Sequence, residues 1–461
     1  MRVLLLRPNS IIIATPVPLG LGYIAGSLRK EGHEVAIIDG RNERLSADVM
    51  RKRARDYAPH VIGITAINFE MKEAHELAAA VKAEFPAVPV IIGGPYASAN
   101  REAILDDENI DVVVIGEGEN TAAELLEAIE SGADLSAVKG IIHRQDGEPV
   151  FTGERELIDD LDTLEVAWDL IDPKAYFKRL GRNSENIVKK DHRSLTIFTS
   201  RGCPYGCIFC HNVFGKKFRP RSPESVVEEI EMLRDRYGLR ELEIVDDSFN
   251  QSVRRSKQIM AGLIDRNVKL HIALPNGIRG DRTDPEMMDL FREAGFYRIA
   301  FAVESASPRL QKIINKNIDL DKVKWSIEEV ARRGLVASGY FIQGFPTETY
   351  EEMLMTGDWA ADSDLHVASF FYLNPFPGTK VAEMTGHDFR NINFRDYSTM
   401  SVNVSAATDD EMHAANKYAY RKFYLSAKRM ARIVRVVPKN VRTALNAWLV
   451  VRLMLEDSVN Q

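Results

Sequence analysis

Residues 195–210, LTIFTSRGCPYGCIFC, contain every cysteine of the chain: Cys203, Cys207 and Cys210. The stretch opens with a β-branched apolar run, 195–199, that reads as a strand. It continues through Arg201, Gly202, Pro204 and Gly206, which describe a loop. Three thiols within one short loop of a 461-residue chain share one task. Burial as small hydrophobic residues does not suit such a loop. An odd number of cysteines is no disulfide framework and suits a reducing compartment. A zinc ion wants four ligands, and His211 is the fourth at hand, but neighbours in sequence rarely share one tetrahedral ion. Three thiolates spaced C-x3-C-x2-C suit a four-iron four-sulfur cluster that keeps one iron open to another ligand. Gly202 and Gly206 would expose backbone N–H groups to its sulfides, and Phe209 would shield it from water.

Downstream, apolar runs at 241–245, 269–274, 298–303, 336–341 and 367–373 alternate with helical patterns such as 223–237. With 195–199 they make six strand–helix units, an incomplete (β/α)6 barrel or strongly curved sheet. Residues at the C-terminal strand ends then become site candidates: Asp246, Asp247, Asn276, Arg279, Gln343, Tyr372 and Asn374. Asp246 and Asp247 are adjacent on a strand and point to opposite faces, so one at most faces a cleft. A plain structural role, capping a helix or meeting Arg254 or Arg255, competes with a role in binding substrate or moving a proton.

Upstream, runs at 3–6, 34–38, 61–64, 88–92 and 112–115 alternate with helical patterns at 21–31, 46–57 and 72–84, which implies a parallel sheet with helices on both faces. Gly40, Gly93, Gly94, Gly116 and Gly118 follow these strands, where open parallel sheets form their ligand crevice. No GxGxxG fingerprint follows the first strand, so a dinucleotide is weakly supported. Charged sequence with a small hairpin interrupts the alternation. The expected organisation is an α/β protein with a doubly wound, Rossmann-like domain at 1–140, a linker with a small hairpin at 141–192, a partial barrel at 193–385 and a helical region at 386–461.

Composition agrees with an ordinary globular protein: 45% hydrophobic, 28% charged, net charge −7. Polyanion binding by the whole surface has no support, and no nucleic-acid partner is expected. The apolar N-terminal run is too short for a signal segment, and 447–455, interrupted by Arg452, is too short to span a membrane, so the expectation is a cytoplasmic protein. Basic residues cluster late in the chain: Arg421, Lys422, Lys428, Arg429, Arg432, Arg435, Lys439 and Arg442, interleaved with Tyr418, Tyr420, Phe423 and Tyr424. The expected arrangement is an amphipathic helix whose apolar side covers the barrel and whose basic side is solvated. An RNA or anionic-membrane surface is the competing reading.

The cysteine loop, placed after the first barrel strand, resembles the signature of radical S-adenosylmethionine (SAM) enzymes. Asp246-Asp-Ser248, Glu304-Ser305 and Gly339-Tyr-Phe-Ile-Gln-Gly344-Phe-Pro-Thr-Glu348 are similar to further elements of that superfamily. Asn374-Pro-Phe-Pro-Gly-Thr379, Pro18-Leu-Gly-Leu-Gly-Tyr-Ile-Ala25, Gly93-Gly-Pro95 and Gly116-Glu-Gly-Glu119 resemble the subgroup with an N-terminal cobalamin-binding-like domain. The likeness covers roughly residues 1 to 440.

The resemblance implies that Cys203, Cys207 and Cys210 bind the cluster. It also implies that Tyr205, Phe209, Glu304, Ser305, Gly339, Gln343 and Gly344 contribute to the cofactor site, and that Asp246, Asp247, Glu304 and Tyr372 are candidates for acting on substrate. SAM would be split to a 5'-deoxyadenosyl radical that takes hydrogen from an unactivated carbon of a small polar metabolite. Cobalamin would make C-methylation the outcome; without it, radical 1,2-diol dehydration of an amino sugar, as in aminoglycoside antibiotic formation, is the alternative. No Asp-x-His-x-x-Gly motif follows the first strand, which runs into Arg7-Pro-Asn-Ser-Ile, and His33 reads as surface. Cobalamin would therefore bind without a protein histidine on cobalt, or the fold persists with a closed pocket. An external electron donor such as flavodoxin or ferredoxin is implied, with room for a reductase partner. A metal-binding sensor without catalysis is the contrasting class, marked by a cluster that never cleaves SAM.

Overall fold

The computed structural model describes residues 1–10, 16–177, 188–211, 213–386 and 397–439. Arg442 and the apolar run at 447–455 lie outside the described residues. The chain divides into two compact units. One comprises 1–175, 209–220 and 375–396, the other 176–208, 221–374 and 397–461.

The first unit is built on a seven-stranded sheet. Strands β1 (Arg2–Arg7), β2 (Glu34–Asp39), β3 (Val61–Thr65), β4 (Val90–Gly93) and β5 (Val112–Val114) are parallel. The hairpin β6 (Ile141–Gln145) and β7 (Glu148–Phe151) continues the sheet antiparallel, giving the order β2-β1-β3-β4-β5-β6-β7. The hairpin read in the connecting segment thus extends the N-terminal sheet. Strand β1 shows why helices cover both faces. Leu4 and Leu6 pack with Met50, Ala54 and Leu77 of the Ala47–Tyr57 and Met71–Glu84 helices. Val3 and Leu5 point the other way, to Leu21, Ala25 and Leu28 of Leu19–Lys30 and Leu126 of Gly118–Ser131. Each such Leu, Val or Met side chain contributes about 1.5–3 kcal/mol through removal from water.

The second unit contains six parallel strands in sequence order: β8 (Ser194–Ile197), β9 (Glu241–Ile244), β10 (His271–Ile278), β11 (Phe296–Glu304), β12 (Val336–Gln343) and β13 (Val367–Tyr372). Helices return the chain between them, as the alternation requires. The Tyr350–Asp362 and Asp409–Tyr424 helices pack on one face of the late strands. Phe341 stacks on Phe370 at 5.0 Å, with Trp359 and Tyr420 against the pair.

Candidate active site

The approach to the cysteine loop is fixed by the Asp246-Asp247 pair just beyond β9. Asp246, buried, accepts from the Thr199 amide at 2.6 Å, the Thr199 hydroxyl and the Ser200 hydroxyl at 2.7 Å. Burial raises its pKa, opposed chiefly by the Arg255 charge, whose guanidinium donates to the Thr199 and Arg221 carbonyls. Asp247 accepts from the Gly202 amide at 3.2 Å. Both carboxylates therefore hold the segment that enters the loop. The Arg255 charge acts on Asp246, whose oxygens are already engaged with protein groups.

Within the loop, Tyr205 lies under Arg279, whose guanidinium carbon is 4.1 Å from the ring centre, and its hydroxyl accepts from Arg282 at 2.9 Å. The Gly206 carbonyl accepts from the Asn315 side chain at 3.0 Å and the Ile208 amide bonds the Ile314 carbonyl at 3.1 Å. The Cys207 sulfur lies 3.8 Å from the Asn315 carbonyl. Burial pushes the Cys207 thiol up, while the Lys316 and Arg279 charges pull it down. The turn at 314–317 was invisible in the sequence reading, because nothing in Ile-Asn-Lys-Asn marks it except Asn, a residue that tolerates the left-handed φ that Asn315 and Asn317 adopt.

Glu304, at the end of β11, has a left-handed backbone (φ 67°) and accepts from Lys316 at 2.8 Å. For a non-glycine residue this conformation costs on the order of 1 kcal/mol, and such strain gathers at functional sites. The following residue differs in kind: Ser305 is fully buried in bonds to Ser307 and Thr356.

Strand alternation separates the remaining candidates. A Cβ on Gly339 would meet Leu365 at 2.5 Å and Phe341 at 2.9 Å, on the helix-covered face. Gln343, on that face too, accepts from Asn416 at 3.0 Å, and Tyr372 packs with Met353, Ala407, Met412 and Ala415 and bonds His413 at 3.0 Å. Tyr372 and the Gln343 Oε1, expected on a cleft wall, meet the C-terminal helix here. The opposite face carries Arg298 and Tyr340, joined at 3.2 Å, and Phe371, 5.9 Å from Tyr340. Sequence reasoning missed these three, although the period of two that placed the strands also assigns them to one face. Gly344 donates to Glu348 at 2.7 Å, and Glu348 lies buried with its carboxyl pushed up to about 8.

In the first unit, Cys210 is exposed, Phe209 is half-buried, and His211 bonds Asn68 at 3.2 Å and stacks near Phe376. Phe376 also meets Phe69 edge-on, which accounts for part of the Asn374–Thr379 motif. Gly40 is required by packing, since a Cβ there would meet Met50 at 2.5 Å and the Arg7 carbonyl at 2.9 Å. Gly116 is different. Its φ is 74° and, its chain neighbours aside, no atom lies within 4 Å of where a Cβ would stand, so there is open space beside Gly116 just after β5.

These residues fit the expected groups. Among the described residues no three His, Cys, Asp or Glu side chains already converge on a single-ion site. Three thiols on one loop, none of them in a disulfide, are the donor set of a cluster with an open iron. Open space beside Gly116 suits a ligand that lies over a doubly wound sheet. His75 has both ring nitrogens engaged, with Asp107 at 2.6 Å and Tyr96 at 2.9 Å, and His33 bonds the N-terminal amine at 3.0 Å. His75 is thus not at hand as a ligand to cobalt.

Fold and site together define an iron–sulfur enzyme with a second, nucleotide-type α/β unit. Residues 197–360 match the radical SAM superfamily model and residues 14–126 match the B12 binding domain model. An uncharacterized methyltransferase of Pyrococcus horikoshii is 31% identical over 442 residues, 93% of each chain. The cytidylyl-2-hydroxyethylphosphonate methyltransferase of Streptomyces wedmorensis is 31% identical, over 82% of this chain and 80% of that one. The radical SAM methyltransferase TsrM of Kitasatospora setae shares the fold with a TM-score of 0.70 at 20% identity, covering 84% of this chain and 76% of that chain. The chain belongs to the radical SAM superfamily, in the group that carries an N-terminal B12-binding domain.

Proposed function

We propose that this chain is a cobalamin-dependent radical SAM methyltransferase that alkylates an unactivated carbon of a small, polar biosynthetic metabolite. One observation carries the reading: a three-cysteine loop and a B12-binding domain open at Gly116 occur in one chain, aligned nearly end to end with a methyltransferase. Those relatives favour methyl transfer over diol dehydration.

When bound, the cluster and cobalamin supply the electron that splits SAM and the methyl group that ends on the substrate. The protein's own residues hold and orient. Cys203, Cys207 and Cys210 are assigned as the cluster ligands, with Asp246, Asp247 and Asn315 setting the loop that carries them. The Glu304–Lys316 pair, next to that loop, is assigned to the polar groups of SAM. Arg298, Tyr340 and Phe371 form a polar and aromatic face for substrate. An electron donor of the flavodoxin or ferredoxin kind and a cytoplasmic setting complete the proposal. No described helix is long and apolar enough to cross a membrane.

The test is anaerobic reconstitution with iron, sulfide and cobalamin, then desalting and measurement of cobalt, absorbance and 5'-deoxyadenosine from SAM under strong reductant. Near-stoichiometric cobalt with SAM cleavage is expected. An intact, SAM-cleaving cluster in protein that retains no cobalamin overturns the methyltransferase reading.

A further inference from the structure

The basic run near the C-terminus splits into two helices that behave oppositely. Asp409–Tyr424 buries Met412, Ala415, Ala419 and Phe423, as a helix covering a sheet should. Ala427–Val436 buries Arg429 alone. That guanidinium donates to the carbonyls of Leu365, Ala361 at 2.7 Å and Ser363 at 2.9 Å, and lies 4.1 Å over the Phe423 ring. Arg432 pairs with Asp364 at 2.6 Å. The helix is thus held by its arginines, with Ile433 and Val436 half-buried on the same side, while Met430 and Val434 turn outward. Met430 and Val434, one turn apart, are 47% and 61% exposed, and Leu425 just before the helix is 77% exposed. The expected covering by the apolar side holds for Asp409–Tyr424, whereas Ala427–Val436 leaves part of its apolar surface, Met430 and Val434, exposed.

We propose that this face is a docking surface for an anionic lipid bilayer. Charge complementarity selects the occupant. Lys428, Arg435 and Lys439 are exposed beside the stripe, and no Asp or Glu stands between Glu411 and Glu456, in a chain whose net charge is −7. An in-plane helix presents such a combination: aliphatic side chains to the acyl boundary, cations to the headgroups. RNA would call for exposed rings on which bases stack, and the exposed residues here are aliphatic. The surface uses none of the residues assigned to the proposed chemistry.

The test floats full-length, anaerobically reconstituted protein with vesicles of phosphatidylcholine alone or of phosphatidylcholine with phosphatidylglycerol. Flotation is expected with the anionic vesicles, at least about tenfold stronger than with neutral ones, and reversed by high salt. The double substitution Met430→Glu/Val434→Glu should abolish flotation while SAM cleavage persists. A second variant, Lys428→Gln/Arg435→Gln, leaves the stripe intact and should weaken binding about fivefold for each charge removed. No flotation of the unaltered protein overturns the proposal. So does flotation that both variants retain, a dimer broken by Val434→Glu without vesicle binding, or retention on RNA alone.

Discussion

Asp246 and Asp247 are neighbours that the sequence offers as one motif, and the structure gives them one task on different atoms. Asp246 gathers the Thr199 amide and two hydroxyls beside the buried Arg255, while Asp247 reaches the Gly202 amide. Asp246→Ala leaves those donors and a buried guanidinium without their carboxylate and should destabilise the protein by roughly 3–5 kcal/mol. Asp247→Ala, which removes an exposed acceptor, should cost about 1 kcal/mol. Denaturant midpoints of the cluster-free proteins decide this, and equal losses would contradict it. Glu348 adds a pH signature. Burial holds its carboxyl at about 8 against the ordinary 4.5, opposed by the Phe345 and Gly344 amides. Between those values the folded chain keeps a proton that the unfolded chain has released, so stability falls as pH rises from about 4.5 to 8. Thermal midpoints should drop between pH 6 and pH 8.5, and Glu348→Gln should remove much of that drop; an undiminished drop in the variant would count against the assignment. The cysteines were legible as residues because spacing alone marks their chemistry. Lys316 and Asn315 were not, because they act by where a turn places them.

At the scale of elements, hydrophobic period located the strands to within a few residues. Runs read at 241–245 and 367–373 became Glu241–Ile244 and Val367–Tyr372. Period also separates faces, which is why Tyr372 and Gln343 belong with the C-terminal helix while Tyr340 and Phe371 share the other side. What it does not give is which side of an amphipathic helix turns inward. For Ala427–Val436 the carbonyls at the end of the Tyr350–Asp362 helix decide it, since they demand donors and Arg429 supplies them. Arg429→Leu would leave those carbonyls without their donors and expose a helix with no apolar seat. Amide exchange across 427–436 should then rise at least about tenfold, with that of the Asp409–Tyr424 helix unchanged. Uniform protection in both helices would show that something other than Arg429 holds the second one.

At the scale of the whole molecule, the linear order of domains read from the sequence differs from how the chain is shared between compact units. The cysteine loop leaves the barrel unit after Ile208, and 209–220, with Cys210, belongs to the unit built on the N-terminal sheet. That segment is anchored there by Arg219, almost wholly buried, which donates to Glu117 at 2.8 Å and to the Phe214 carbonyl at 2.8 Å, while Glu117 also accepts from the Ile158 amide at 2.9 Å. His211 adds its bond to Asn68. No sequence pattern announces such sharing, because Glu117 and Arg219 are a hundred residues apart and each looks like an ordinary surface charge. A buried pair of this kind is costly to break from one side, on the order of 3–5 kcal/mol, since the surviving charge is left without compensation. Glu117→Gln should therefore loosen 209–220 and lower iron incorporation, although it alters no ligand and lies in the domain assigned to cobalamin. Iron per chain after reconstitution without cobalamin, together with protease sensitivity near Lys216 and Lys217, reads this directly. Full iron loading in Glu117→Gln would mean that the barrel unit alone sets the third cysteine. A fragment that begins near residue 190 extends the same reasoning: lacking Glu117 and Asn68, it should load less iron than the full chain even where its six strands fold.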